Sequence, residues 1–314
     1  MKKILITGCA GFIGSHLCNY YLENKFKVFG IDNLLTGSVK NIESNFKNPN
    51  FKFIEFDICS EIKIKEKIDY ILHFASPASP IDYLKHPIKT LRIGSIGTEN
   101  LLDLAKKNDC IILVASSSEV YGDPLVHPQN ESYFGNVNAV GPRGVYDEAK
   151  RYLEAITTAY KNKFNLNVRI ARIFNTYGPN MRKSDGRAIP NFINQALSNK
   201  EITIYGDGTQ TRSFSYIDDT VNGLTKLLES DYSYPVNIGN PLEYSINDLV
   251  EIILKITKSK SKVSYHKLPI DDPKVRRPDI SIAKKKLSWN PKIELNIGLE
   301  KTIKYFKNLS NFKR

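Results

Sequence analysis

The chain has 314 residues, 41% apolar and 25% charged, ordinary proportions for a globular protein of one large α/β domain or two unequal ones. No window of about 20 apolar residues occurs, which excludes a membrane-spanning helix from the expectation, and the glycines at 8, 11 and 14 interrupt the N-terminal apolar run too early for a secretory leader. The net charge of +12 raises nucleic acid as a partner, but the lysines are spread along the chain, cluster weakly at 255–267 and 284–286, and accompany no RNA-binding motif; no nucleic-acid partner is expected, and the basic balance suits an anionic substrate.

Short apolar runs at 4–7, 28–31, 51–56, 70–74, 111–115 and 168–173 predict buried strands. Amphipathic stretches near 12–24, 90–107 and 145–163 predict helices between them. This alternation predicts an α/β protein with a Rossmann-type, doubly wound parallel sheet. After about residue 173 the rhythm weakens and glycine and proline become frequent. A smaller C-terminal α/β substrate-binding domain is therefore expected over 173–314. The dinucleotide-binding domain is placed at 1–172, with segments near 213–233 returning to it.

The first predicted strand runs into Gly8-Cys9-Ala10-Gly11-Phe12-Ile13-Gly14. Glycine is needed where a backbone turns tightly and approaches a pyrophosphate, and the following helix offers free N–H groups to that anion. Asp32 ends the second predicted strand. A carboxylate there can accept hydrogen bonds from an adenosine ribose, and it repels a 2′-phosphate, so NAD is expected over NADP. Asp57 follows the third strand, where an adenine contact is expected. The cofactor-binding set is completed by Asn33, Ile58, Ala75, Tyr146 and Lys150.

Tyr146 and Lys150 lie four residues apart, on one face of a predicted helix. An ammonium beside a phenol favours the phenolate, so the tyrosine can accept a proton. Ser116-Ser117-Ser118-Glu119 follows the fifth strand, and a hydroxyl at the C-terminal end of a parallel strand faces the ligand crevice. The five histidines, at 16, 73, 86, 127 and 266, show no metal-ligand spacing, and no metal is expected. Cys9, Cys18, Cys59 and Cys110 make no C-x-x-C pair, which points to a reducing cytoplasm. Trp289 is expected in the core.

Glycine turn, strand-end serine and helical Tyr/Lys pair occur in the order of the extended short-chain dehydrogenases/reductases. Within that group the chain most resembles the UDP-glucuronate decarboxylases. The segments that carry the resemblance are HFASPASP (73–80), SSSEVYGDP (116–124), GPRGVYDEAKR (141–151), ARIFNTYGP (171–179), YGDGTQTR (205–212) and DDPKVRRPDI (271–280). Sugar-nucleotide 4,6-dehydratases carry Thr-Asp-Glu where this chain has Ser117-Ser118-Glu119. Their aspartate protonates a leaving hydroxyl, which a serine cannot do.

The resemblance implies that Tyr146, with Lys150 and Ser117, deprotonates the C4 hydroxyl while NAD takes the hydride. Glu119, or a water it holds, is then the candidate for protonating C5. Arg276 is a catalytic arginine and, with Arg212, meets the anionic substrate. Asn175, Tyr205 and Gln210 match nucleotide or diphosphate contacts, and Tyr83 and Lys89 lie in a segment closing over the sugar. Arg143 and Arg277 are further arginines of these segments. A neutral sugar is expected to leave Arg276 with unpaired charge. A UDP-sugar is the expected partner, and the resemblance also implies a homodimer pairing through helices 145–163 and 90–107, with Tyr152, Ile156, Ala159 and Tyr160 on the face offered.

Two departures stand out. Ile93-Gly94-Ser95 replaces the usual Thr-Asn-Thr, so an asparagine near the cofactor is missing, and Cys9 replaces a usual glycine. A 4-epimerase, a 4,6-dehydratase, a decarboxylase that releases the 4-keto pentose and a non-catalytic NAD-binding protein remain alternative readings.

Overall fold

The computed structural model describes residues 1–267 and 275–311. Its first half alternates strand and helix: β1 (Lys3–Thr7), α1 (Phe12–Glu23), β2 (Lys27–Asp32), β3 (Phe51–Glu55), β4 (Tyr70–His73), α2 (Pro80–Lys85), α3 (Pro87–Arg92), α4 (Thr98–Asn108), β5 (Ile111–Ser117), α5 (Gly144–Phe164) and β6 (Val168–Ile173). The second half holds β7 (Thr176–Tyr177), α6 (Ala188–Leu197), β8 (Ile202–Tyr205), β9 (Thr211–Ser213), β10 (Ser215–Tyr216), α7 (Ile217–Glu229), β11 (Pro235–Ile238), β12 (Glu243–Ser245), α8 (Ile246–Thr257), β13 (Val263–His266), β14 (Val275–Arg276), α9 (Ser281–Leu287) and α10 (Leu295–Asn311).

Seven strands pair in parallel in the order β11-β6-β5-β4-β1-β2-β3. Both faces of this sheet are covered, which is why its strands read as unbroken apolar runs. In β1, Ile4 and Ile6 enter the core shared with α1 and α7, whereas Leu5 enters the opposite core with Leu101, Leu102 and Leu153. Strand order reverses between β1 and β4, and the crevice beyond their carboxyl ends is where such sheets bind ligands.

Three details depart from the sequence expectation. The seventh strand, β11, joins the sheet beside β6, although its segment PVNI is only four residues long and starts with proline. β5 runs two residues further than its apolar stretch, so Ser116 and Ser117 are strand residues paired with Arg172 and Ile173. The long helix expected over 90–107 is interrupted by a π-helical turn, Ile93–Gly97, between α3 and α4.

In that turn a β-carbon on Gly94 would lie 2.7 Å from the Ala149 carbonyl oxygen, so the absent side chain lets the turn abut α5. Cys9 is accommodated in a similar way: it is fully buried, with its sulfur in the space left open by Gly30 on β2.

The C-terminal elements carry three small sheets, β7 with β10, β8 with β13 and β9 with β12 and β14, while α6, α8 and α10 extend the core on the α1 face. Trp289 is buried there, its indole donating to the Asp219 carbonyl. His73 is buried between the hydroxyls of Thr7 and Thr98, tying β4 to β1 and α4. No helix among the described residues is long and apolar enough to cross a membrane, and no metal-binding cluster occurs among them.

Candidate active site

A cavity of about 980 Å³ opens beyond the carboxyl ends of β1, β4, β5 and β6. Its floor is the glycine turn. Gly8 adopts φ +70°, and a β-carbon there would come within 2.8 Å of the Phe74 carbonyl and the Ala75 amide. A β-carbon on Gly14 would stand 2.0 Å from the Gly8 carbonyl, so only glycine lets α1 start this close to β1. No side chain caps α1, and Gly11, Phe12, Ile13 and Gly14 line the cavity with its first turn.

A narrower extension is lined by Asp32, Asn33, Asp57, Ile58 and Ala75. Asp32 accepts from the Ala10 amide at 3.0 Å and the Leu34 amide at 2.8 Å, which fixes its carboxylate at the end of β2. Burial pushes its carboxyl up, and those two amides pull it back. Asn33 donates to Asp57 at 3.2 Å, joining the ends of β2 and β3. A cradle that admits no β-carbon, an uncapped helix start and a carboxylate one strand away together fit a dinucleotide.

The first turns of α5 form the opposite wall. Tyr146 and Lys150 both line the cavity and both are buried. The Lys150 ammonium donates to the Ala115 carbonyl at 2.8 Å and lies 5.5 Å from the centre of the Tyr146 ring. Burial lowers the Lys150 pKa to about 8. Burial also raises the Tyr146 phenol above its ordinary value, against a hydrogen bond with Ser117 that lowers it. Desolvation is the largest influence on this phenol. The Tyr83 ring stacks on Tyr146 at 5.1 Å.

Of the strand-end serines, Ser116 donates to Glu154 at 2.5 Å, and Glu154 in turn pairs with Arg172. Ser117 lines the cavity and accepts from the Glu119 amide at 3.2 Å.

Arginines surround Glu119. Arg143 donates to it at 2.6 Å, and Arg276 from β14 donates to its other oxygen. Burial alone would raise the Glu119 carboxyl, but the charges of Arg276 and Arg143 overcome this and hold it at about 2. Arg276 is 2% exposed and also donates to Ser118 and to the Gly122 carbonyl, while its Nε is buried without a partner.

Two expectations change here. Glu119 is an ion held by two guanidinium groups, so it accepts hydrogen bonds and is not a proton donor near neutral pH. A neutral sugar would leave Arg276 paired with Glu119 instead of bare.

Asn175, Tyr205, Gln210 and Arg212 also line the cavity, with Gln210 donating to the Tyr205 carbonyl. Lys89 does not: it stands on the exposed side of α3, away from the cavity wall. Of the segment 271–280, residues 271–274 lie outside the described residues. Arg277 donates through its backbone to Gln129 and approaches Glu243 at 3.6 Å, outside the cavity.

The sequence reading missed Asp82, Arg182, Asp185 and Arg187, which line the cavity as two ion pairs, Arg182 with Asp82 and Arg187 with Asp185. They sit on α2 and on the loop before α6, where no periodicity or motif distinguishes them.

A family model described as GDP-mannose 4,6 dehydratase matches residues 5–302. The chain is 48% identical to UDP-glucuronic acid decarboxylase 1 of Danio rerio over 97% of this chain and 72% of that protein. It is 47% identical to UDP-glucuronic acid decarboxylase 6 of Arabidopsis thaliana, over 95% of this chain and 86% of the other. Among solved structures it resembles a UDP-glucuronic acid 4-epimerase from Bacillus cereus, in complex with UDP-glucuronic acid and NAD. That likeness has a TM-score of 0.89 at 33% identity and covers 98% of this chain and 99% of the other.

Proposed function

The chain belongs to the UDP-glucuronic acid decarboxylase family of extended short-chain dehydrogenases/reductases, and from that membership we propose that it converts UDP-glucuronate to UDP-xylose. The observation that carries this reading is one cavity holding Ser117, Tyr146 and Lys150 beside Arg143 and Arg276, with serine instead of an acid at position 118. NAD, the family's cofactor, would lie along Gly8–Gly14, Asp32 and Asp57, and supplies an acceptor that takes the C4 hydride and later returns it.

The protein's own groups supply the rest. Tyr146 takes the C4 hydroxyl proton, with Ser117 orienting the oxygen and the Lys150 ammonium favouring the phenolate. The resulting 4-ketone is β to the C6 carboxylate, so the C5–C6 bond breaks, carbon dioxide leaves, and the electron pair moves into an enolate. Tyr146, now protonated, donates to the enolate oxygen. Glu119, ionised, orients a water that delivers the C5 proton. Arg276 and Arg143 meet the sugar's carboxylate, and Arg212 the diphosphate. Tyr205, Gln210 and Asn175 flank the nucleotide.

Residues 1–172 and the segment around α7 and β11 are read as the cofactor-holding part, and the remainder of 173–314 as the substrate-holding part. The functional unit is read as a homodimer paired through α5 and the α3–α4 flank, supported by exposed Leu91, Ile96 and Tyr152. The free cysteines support a cytoplasmic location.

The test is incubation with UDP-glucuronate and NAD, following carbon dioxide, NADH absorbance and product mass together. The expected result is a UDP-pentose, equimolar carbon dioxide and no net NADH. Net NADH would identify release of the 4-keto pentose. A new isomer of unchanged mass, with no carbon dioxide, would replace the proposal with 4-epimerisation, the activity named for the Bacillus cereus relative.

A further inference from the structure

Behind the cavity, one buried ion pair grips both ends of the segment that carries Ser117. Glu154 lies on α5 on the helical face of Tyr146 and Lys150, but it does not line the cavity. One of its carboxylate oxygens accepts from the Ser116 hydroxyl at 2.5 Å and from the Arg172 Nε at 2.9 Å. The other accepts from the Arg172 Nη2 at 2.7 Å. Ser116 and Arg172 face each other in the register of β5 and β6, so a single side chain of α5 joins the two strands at that position. Lys150 donates to the carbonyl of Ala115, and α5 is thereby tied to consecutive residues of β5.

Arg172 holds the other end of the segment. Its Nη1 donates to the Tyr121 hydroxyl at 3.0 Å and to the Glu131 carbonyl at 3.1 Å. The Tyr121 hydroxyl donates in turn to Asn237 on β11 at 2.8 Å. Tyr121 closes the 3₁₀ turn Ser118–Tyr121. Residues 116 and 121 are thus both bound to one ion pair, and Ser117, Ser118 and Glu119, which line the cavity, lie between them. The two side chains of the pair are only 12% and 13% exposed. A buried ion pair surrenders the hydration of both charges and is a poor source of stability, whereas two parallel hydrogen bonds to one carboxylate fix direction and distance.

We propose that Glu154 and Arg172 are positioning residues for the oxidation of the sugar: their ion pair clamps residues 116 and 121 and so sets the distance from the Ser117 hydroxyl to the Tyr146 phenol. Ser117 stands between the two grips, and Tyr146 stands on the helix that carries Glu154, so one carboxylate fixes both. A misplacement of about 1 Å between reacting groups can cost about 10²-fold in rate.

The inference rests on the reading that Ser117 and Tyr146 remove the C4 proton. Its test loosens each grip in the NAD-loaded enzyme. Ser116→Ala and Tyr121→Phe each remove one hydroxyl and leave the Glu154–Arg172 pair in place. Turnover is scored per bound NAD as the consumption of UDP-glucuronate into any product, so it reads C4 oxidation whether a pentose or an epimer follows. Each variant should lower kcat, by up to about 10²-fold, while KM for UDP-glucuronate and Kd for NAD stay those of the unaltered enzyme. Glu154→Gln, which keeps an oxygen for Ser116 and the Arg172 Nε, should retain more of the rate than Glu154→Leu.

A double-mutant cycle separates positioning from a general loosening of the fold. In a Ser117→Ala background no hydroxyl is left to position, so adding Ser116→Ala should cost little further rate. An equal loss in both backgrounds, a normal kcat in folded Ser116→Ala and Tyr121→Phe proteins, or a loss confined to KM would overturn the proposal. Product mass reports separately on the function: an epimer of unchanged mass ends the decarboxylase reading and leaves the clamp to stand or fall on the cycle.

Discussion

Tyr146 is a buried phenol whose ordinary titration is pushed upward, and Lys150 is a buried ammonium whose pKa is pulled down to about 8. Both shifts come first from the loss of water, which disfavours the charged form of each group. Replacing Tyr146 by phenylalanine should lower turnover about 10²–10⁴-fold by removing acid–base catalysis, while UDP-sugar binding measured by calorimetry persists. Turnover near that of the unaltered enzyme would show that another group takes the C4 proton. Lys150 also leaves a trace in stability. Between about 8 and its ordinary 10.5 the unfolded chain keeps a proton that the folded one has lost, so stability rises with pH across that window. The buried thiols and phenols, whose pKa values are raised, act in the opposite sense above about pH 9, so the contribution of Lys150 is read as the urea midpoint of the unaltered chain minus that of Lys150→Met, a difference that should increase between pH 8 and 10. The arginines were harder to read from the sequence: Arg143 and Arg276 are separated by 133 positions, and their common ligand Glu119 became visible only when β14 was placed beside the turn after β5.

Among the elements, the π turn at Ile93–Gly97 connects the cofactor pocket to the catalytic helix. Ile93 lines the narrow extension beside Asp57 and Ile58, and Gly94 abuts Ala149, the residue before Lys150. The sequence shows Gly94 as a missing asparagine; the structure shows it as a contact that excludes any side chain. Gly94→Asn should therefore fail to add a cofactor contact. It should cost about 1–3 kcal/mol by forcing α5 away from the turn, seen as a lower Tm together with a lower kcat. A variant of unchanged Tm and tighter NAD binding would show that the turn can yield. β5 teaches a related lesson. Its apolar run ends at Ala115, yet pairing with β6 carries the strand on through Ser117, because backbone hydrogen bonds to a neighbouring strand do not depend on side-chain hydrophobicity.

At the scale of the molecule, α5 and the α3–α4 flank leave Leu91, Ile96 and Tyr152 exposed, with Ala159 exposed further along α5. Ile156 and Tyr160, expected on the same face, instead pack against the core that includes Leu101 and Leu153. The surface available for pairing is therefore narrower on α5 than its apolar spacing suggests and broader on α3. Light scattering at micromolar concentration should give a dimer, and Tyr152→Glu should shift it towards monomer; a strict monomer for the unaltered chain would remove the dimer reading.

What the amino-acid order determined alone was the local and the repetitive: six of the central strands, the glycine turn that must admit a backbone-close anion, Asp32 one strand later, and Tyr146 with Lys150 one helical turn apart. Each of these depends on neighbours within a few residues or on a fixed period, so spacing is enough to reveal it. The tertiary structure alone decided the membership of β11 in the sheet, the pairing of Glu119 with Arg143 and Arg276, the absence of Lys89 from the cavity wall and the burial of Asp147. Those features arise where segments far apart in the chain are brought into contact, and the energy of a charge there depends on how much water its neighbours exclude, which no spacing along the sequence records.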